Sequence, residues 1–456
     1  MGGSAFSSKG IALHVPRMPP IVYSQVKAAC HARLRDLFVY VATPIEGPEK
    51  KDHGDIDVLV ALERPVVFPS TTDGARIQRP PRDMMAVVEK SLGAEHSIID
   101  PAGGSANLAI PWPSKPDSGT ENIHSGQEKD EDEDEDTKAA YVQIDIRICR
   151  DVDHLCWCLF KHAHGDIWNL LGSTIRSFGL TVDEDALWLR IPEIEKIDRK
   201  QAKVQLSRDP AEILHFLGMK VEGFWAEPFD SVEALFAYVT TCRLFSVRDE
   251  SDANGEPGDE TTSAGVIGGD EGRKKLKAND RRRRRMNGRP IYRRWINEFI
   301  PQLSAEGRFA PEGLARNLQE ARSTVRDEAF ASFFVRGEYT RRLRDWEVKK
   351  SADEVKKLIK TLIPDDLDHQ YRSCLVSAMR KIVMADSYDF GDIAPSVPFQ
   401  DSERIYNLAA VRLFVEHRWK ELGRMAWSRQ MEKAHQNMLL KKQGRLAAQN
   451  HRSLGD

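Results

Sequence analysis

KKDHGDIDVLVAL, residues 50–62, opens on two lysines and an acid, carries Asp55 and Asp57 two positions apart, and then runs into unbroken hydrophobics. The apolar tail reads as a buried strand. Charged residues are rarely buried without a partner, so two aspartates at the mouth of such a strand mark either a solvated strand end or a cation site. In a strand, residues i and i+2 share a face. Asp55 and Asp57 therefore point one way, and Ile56, Val58 and Val60 the other.

A second stretch repeats the pattern. YVQIDIRIC (141–149) alternates Val142, Ile144, Ile146 and Ile148 on one face with Gln143, Asp145 and Arg147 on the other. If the two strands are neighbours with their polar faces aligned, three carboxylates converge. Two unit charges about 4 Å apart repel by roughly 4 kcal/mol at an effective dielectric near 20. Such a cluster either takes up a proton or binds a cation. Three hard oxygen donors with no His or Cys among them favour Mg²⁺ or Mn²⁺ over zinc. Magnesium held by carboxylates usually completes its shell with water and substrate phosphates, so the implied substrate is a nucleotide.

The neighbouring segments frame these strands. Residues 21–41 begin as an amphipathic helix, with Val22, Val26, Ala29, Leu34 and Leu37 near helical spacing, and end in the strand-like run FVYVAT. The loop TPIEGPEKKDHG follows. Residues 82–93 read as a helix ending at Gly93, and SANLAIP (105–111) as an antiparallel partner for 141–149.

The arrangement resembles the nucleotidyltransferase superfamily, which includes DNA polymerase β, poly(A) polymerases and antibiotic nucleotidyltransferases. Members carry a Gly-Ser step after a helix and strand, an Asp-x-Asp strand about a dozen residues later, and a third acid on a further strand. Here GDID (54–57) matches the second feature and IDI (144–146) the third. The Gly-Ser step falls on Ala42-Thr43, where Thr43 could supply the hydroxyl and Ala42 replaces the glycine. The resemblance covers about residues 22–150. It implies a mixed α/β (α+β) sheet with helices on one face; beyond the resemblance, the sequence itself reads as a mostly helical C-terminal region. It also implies that Asp55, Asp57 and Asp145 hold Mg²⁺ or Mn²⁺ for transfer of a nucleoside monophosphate from an NTP. Thr43, Lys50, Lys51 and His53 would serve the triphosphate.

The expected organisation is a nucleotidyltransferase-like domain over 22–180, with a disordered acidic insertion at 114–137, and a mostly helical second domain over 181–248. A disordered linker at 249–290 and a helical region over 291–446 complete it. The chain carries 67 Lys and Arg against 70 Asp and Glu, a near balance that conceals segregation. Eight of the nine residues at 128–136 are acidic, whereas 273–294 hold twelve Lys or Arg and a single Asp. Arg281 to Arg285, Arg289, Arg293 and Arg294 are candidates for an RNA backbone or for a nuclear address. An alternative is a fold that has kept its shape and lost its chemistry, binding nucleic acid or protein; another is transfer to a small molecule or protein.

Other features point to packing or setting. DHLCWCLFKHAHGD (153–166) gathers Cys156, Cys158, His162 and His164, but Cys-x-Cys on a helix divides its sulfurs between faces, so the window reads as core with surface histidines. Arg176 and Arg190 read as an ordinary ion-pairing surface, and Trp295, Tyr339 and Trp346 as core anchors. Six scattered cysteines suit a reducing, intracellular setting. The N-terminus shows no apolar signal-peptide run, and Phe6 stands where an N-myristoylation motif wants Ser or Thr. No run of 18 apolar residues is present, so no membrane span is expected.

Overall fold

A computed structural model describes residues 3–7, 12–65, 67, 80–113, 139–247, 288–310, 317–385, 390, 393, 395 and 397–452. The segments 114–137 and 249–280, and with them Arg281 to Arg285, lie outside the described residues. The chain divides into two compact units, one comprising Met1–Glu195 and Arg199–Val335, the other Arg336–Asp456 with Lys196–Asp198.

Helix α1 (Pro20–Arg35) starts on a proline, whose missing N–H costs nothing in a first turn. It buries Tyr23, Val26, Cys30 and Leu34 along one stripe. Strand β1 (Phe38–Ala42) pairs antiparallel with β2 (Asp55–Glu63). Helix α2 (Pro81–Leu92) stops at Gly93, whose φ of 71° is the left-handed cap that glycine adopts without strain. Strands β3 (His96–Ile99), β4 (Ser105–Pro111) and β5 (Tyr141–Ile148) complete a mixed five-stranded sheet in the order β1-β2-β5-β4-β3. Only the central pair, β2 and β5, is parallel.

The two faces of this sheet differ. Ile56, Val58, Val60, Val142, Ile144 and Ile146 are buried against α1 and α2. Each such side chain stabilises the fold by roughly 1.5–3 kcal/mol. On the opposite face, helix α3 (Val152–His162) covers the far end of β2, where Leu59 and Ala61 pack with Cys149, Leu155 and Cys158. Asp151 begins α3 as its N-cap, accepting the His154 N–H at 2.6 Å.

The chain does not continue α3 unbroken into the next helix. His164 and Gly165 take positive φ in succession, 53° and 63°, and a second helix, α4 (Ile167–Ile175), starts after them. Strands β6 (Leu180–Val182), β7 (Leu187–Arg190) and β8 (Lys203–Ser207) form a separate antiparallel sheet in that order. In the same unit Trp295 is buried within an aromatic cluster that includes Phe236, Phe245 and Phe299.

The second unit is helical. Its helices Arg336–Leu362, His369–Ala385 and Leu408–Arg452 meet over a core that includes Val355, Ile359, Leu375, Met379, Val411 and Val415. Tyr339 is buried in the first of them. Among the described residues no helix is long and apolar enough to cross a membrane.

Candidate functional site

The register of the parallel pair places the acids. Asp57 lies directly across from Asp145, and Asp55 directly across from Gln143. Period-two alternation puts all three carboxylates on the face that α1 and α2 leave uncovered. Strand β4 adds Asn107, which pairs with Asp145 from the other side.

Asp145 is held by two amides. Asn107 Nδ2 donates to its Oδ1 at 2.6 Å, and Gln143 Nε2 donates to the same oxygen at 2.8 Å. Burial raises the pKa of the Asp145 carboxyl, and these two donors oppose part of that rise. The Asp57 carboxyl is pushed up to about 6, by burial first and then by the charges of Asp55 and Asp145, while His162 from α3 pulls it back. One side of Asp57 is open to solvent, so water screens part of this repulsion.

The N-terminal segment reaches the same site. The Gly3 N–H donates to Asp55 Oδ2 at 3.1 Å, and the Ala5 N–H donates to Gln143 Oε1 at 3.1 Å. Phe6 anchors the segment by packing with Ala109 and Tyr141. Gly3 has φ 82°, and a Cβ there would stand 2.3 Å from the Gly54 carbonyl oxygen. Only glycine fits so close to another backbone.

The loop between β1 and β2 is organised by Glu46. Tyr23 donates its hydroxyl to Glu46 at 2.5 Å, the Lys50 ammonium bonds to the other oxygen, and the His53 ring stacks on Tyr23 with centroids 3.8 Å apart. Burial alone would raise the Glu46 carboxyl, but the Lys50 charge and these hydrogen bonds outweigh it and hold the group below its usual range. Burial is also the main cause holding the His53 imidazole below its ordinary value. Of the residues expected to serve a triphosphate, Lys50 and His53 thus face Glu46, Thr43 Oγ1 is hydrogen-bonded to His31 Nε2 at 2.8 Å, and Lys51 is exposed. Sequence reading missed Glu46; its one signal was the i,i+4 spacing to Lys50.

The acids suit a hard cation. Among the described residues, Asp55 Oδ1, both Asp57 oxygens and Asp145 Oδ2 make no hydrogen bond. They are mutually repulsive oxygens, the donor type that Mg²⁺ and Mn²⁺ prefer. The triad does not already bring one oxygen of each acid within 4.8 Å of the other two. Side-chain rotation would have to close the acids on a single ion.

Elsewhere in this unit, several basic residues are tied down by acids. Arg289 donates to Asp166 at 2.5 Å, Arg294 pairs with Glu233, and Arg190 with Glu195. His164 is buried and bonded to the Phe224 carbonyl at 2.7 Å, rather than lying at the surface. In the helical unit Lys360, His369, Arg372, Arg380 and Lys381 line a cavity of about 510 Å³.

No protein-family model matches the chain, and no curated protein matches it. Similar solved structures include polymerase beta of Leishmania infantum in a ternary gap complex, at TM-score 0.31 and 12% identity, covering 45% of this chain and 68% of that one. The same polymerase in a ternary P/T complex is similar at TM-score 0.30 and 13% identity, over 45% of this chain and 74% of that one. Likenesses of this size carry no weight for function.

Proposed function

We propose that this chain is a nucleotidyltransferase that moves a nucleoside monophosphate from an NTP to an acceptor hydroxyl, with RNA as the favoured acceptor. The observation that carries this reading is the parallel pairing of Asp57 with Asp145, with Asp55 on the same face at the start of β2. Asp55, Asp57 and Asp145 would hold Mg²⁺ or Mn²⁺, which would supply neutralisation of triphosphate charge and acidification of the attacking hydroxyl. Asn107 and Gln143 fix Asp145 through one oxygen and leave the other to orient the acceptor hydroxyl or take its proton. Lys51, exposed just before β2, would meet triphosphate charge.

The preference for RNA draws on basic surface. Lys360, Arg380 and Lys381 around the cavity of the helical unit suit a phosphate backbone. Arg289 and Arg294 already hold ion pairs, so any contribution from the basic stretch falls to Arg293 and to Arg281 through Arg285. One observation favours a silent protein instead: the Gly3 amide already occupies an oxygen of Asp55.

Incubation of the purified protein with each α-labelled NTP, Mg²⁺ or Mn²⁺ and total RNA tests the proposal. Label in RNA that is lost in Asp57→Asn supports it. Label in protein moves the acceptor to a polypeptide. Absence of label, together with absence of NTP-dependent thermal stabilisation, leaves the fold and removes the chemistry.

A further inference from the structure

Away from the carboxylates, one cluster among the described residues already brings three metal-ligating atoms within 4.8 Å of one another: Cys149, His154 and Cys158. All three come from a single strand-to-helix junction. Cys149 follows the last residue of β5 and is fixed there by its N–H, which donates to the Val60 carbonyl at 2.7 Å. His154 and Cys158 are four residues apart on α3, so they share one face of that helix. Cys149 and Cys158 are 3% and 1% exposed, and His154 is half-buried at the mouth of the cluster.

We infer that Cys149, His154 and Cys158 form a site for a soft or borderline divalent transition metal, with Zn²⁺ the best-fitting ion. Two sulfurs and one imidazole nitrogen form a donor set that selects zinc over magnesium. Three protein ligands leave one tetrahedral position for water. Zinc–sulfur bonds near 2.3 Å set the donors of a tetrahedral ion roughly 3.8 Å apart, so closure requires movement of only about an ångström.

Arg147 Nη1 lies 3.8 Å from the Cys158 sulfur. His154 Nδ1 accepts the Arg150 N–H at 3.3 Å, which leaves the other ring nitrogen to face the sulfur. On binding, the cysteine thiol protons would leave to solvent. His154 shifts its proton to Nδ1, and the exposed Arg150 amide turns to water. Zinc here would clamp the N-terminal half of α3 to the sheet, and the other end of that helix carries the His162 that acts on Asp57.

The test is a Co²⁺ titration of the full chain, reduced with a phosphine, followed by Zn²⁺. The expected result is one Co²⁺ per chain with a sulfur-to-cobalt charge-transfer band, displaced by Zn²⁺. The band should vanish in Cys149→Ser and Cys158→Ser. In His154→Ala, which leaves the buried core untouched, affinity should fall by about tenfold or more. Cys156→Ser should retain the band, because its sulfur is not among the ligands, and so should Asp57→Asn, because oxygen ligands give no such transition. No band in the reduced wild type, a band surviving the paired cysteine replacement, or a Cys149–Cys158 disulfide whose reduction restores no Co²⁺ uptake would overturn the assignment.

Discussion

Asp57 and Ala61 leave β2 on the same face, four residues apart, yet Asp57 is exposed and Ala61 has no contact with solvent. The same contrast runs along β5, from Asp145 to Cys149 just beyond its end. Strand geometry gives both halves the same direction, so alternation cannot distinguish them. The cover does. Over the far half lie Leu155, Cys158 and Leu159 of α3, while the near half is left to the acids and the short N-terminal segment. Hard oxygen donors collect where water can complete a shell, and sulfur collects where the surroundings are apolar.

The largest effect should come from the face that the two halves share as their support. Ile144 is fully buried against α1 and α2, and Ile144→Ala should cost about 2–5 kcal/mol in urea denaturation. A loss below about 1 kcal/mol would mean that this face is not the core.

Next comes the open half. In Asp57→Asn, the stabilisation that Mg²⁺ and NTP give the wild type, about 2.7 kcal/mol at a hundredfold excess over Kd, should disappear. The apo protein should melt higher, because a repulsive carboxylate is gone. Equal ligand-induced shifts in both proteins would sink the metal reading.

Asn107→Ala removes one of two donors to Asp145, and hydrogen bonds to charged groups contribute about 1.5–3 kcal/mol. The Asp145 carboxyl should rise further, so Mg²⁺-dependent NTP binding should weaken more in acid than at neutral pH. A uniform loss across pH would point instead to damage in β4.

The smallest effect is the pH dependence of the apo protein. Asp57 titrates near 6 in the folded chain, against 3.8 for its ordinary value. Between those limits the unfolded state gives up its proton first. Its contribution therefore favours folding at low pH and is lost as pH rises through about 6. Screening by solvent should keep this to about 1 kcal/mol or less. Guanidine unfolding at successive pH values should show the slope in wild type and a flatter profile in Asp57→Asn.

The sheet and its three acids were legible because alternation in DIDVLVAL and YVQIDIRI encodes core and site together. Gly93 was legible as a helix stop for a similarly local reason. Glu46 was not, since its partner Tyr23 lies 23 residues away and meets it only after folding. The Gly3 contact with Asp55 spans 52 residues and involves a backbone amide, which no side-chain pattern records. Asn107 stood within SANLAIP as a polar residue between Ala106 and Leu108, a period-two signal left unused. Cys149 lies just past β5, ahead of the cysteine-rich window 153–166, so no single-window spacing links it to Cys158. Counting back four positions from Cys158 reaches His154, whereas His164 lies past a helix end set by backbone conformation.

The closeness of Gly3 to Asp55 and Gly54 also bears on how the protein is handled. An affinity tag fused just ahead of Gly3 brings its own chain up to the three aspartates. A histidine tail in that position would set imidazoles beside the carboxylates and recruit nickel or zinc of its own. Purification through a tag placed after residue 456, or removal of an N-terminal tag before any ion is added, keeps such borrowed metal out of the readout.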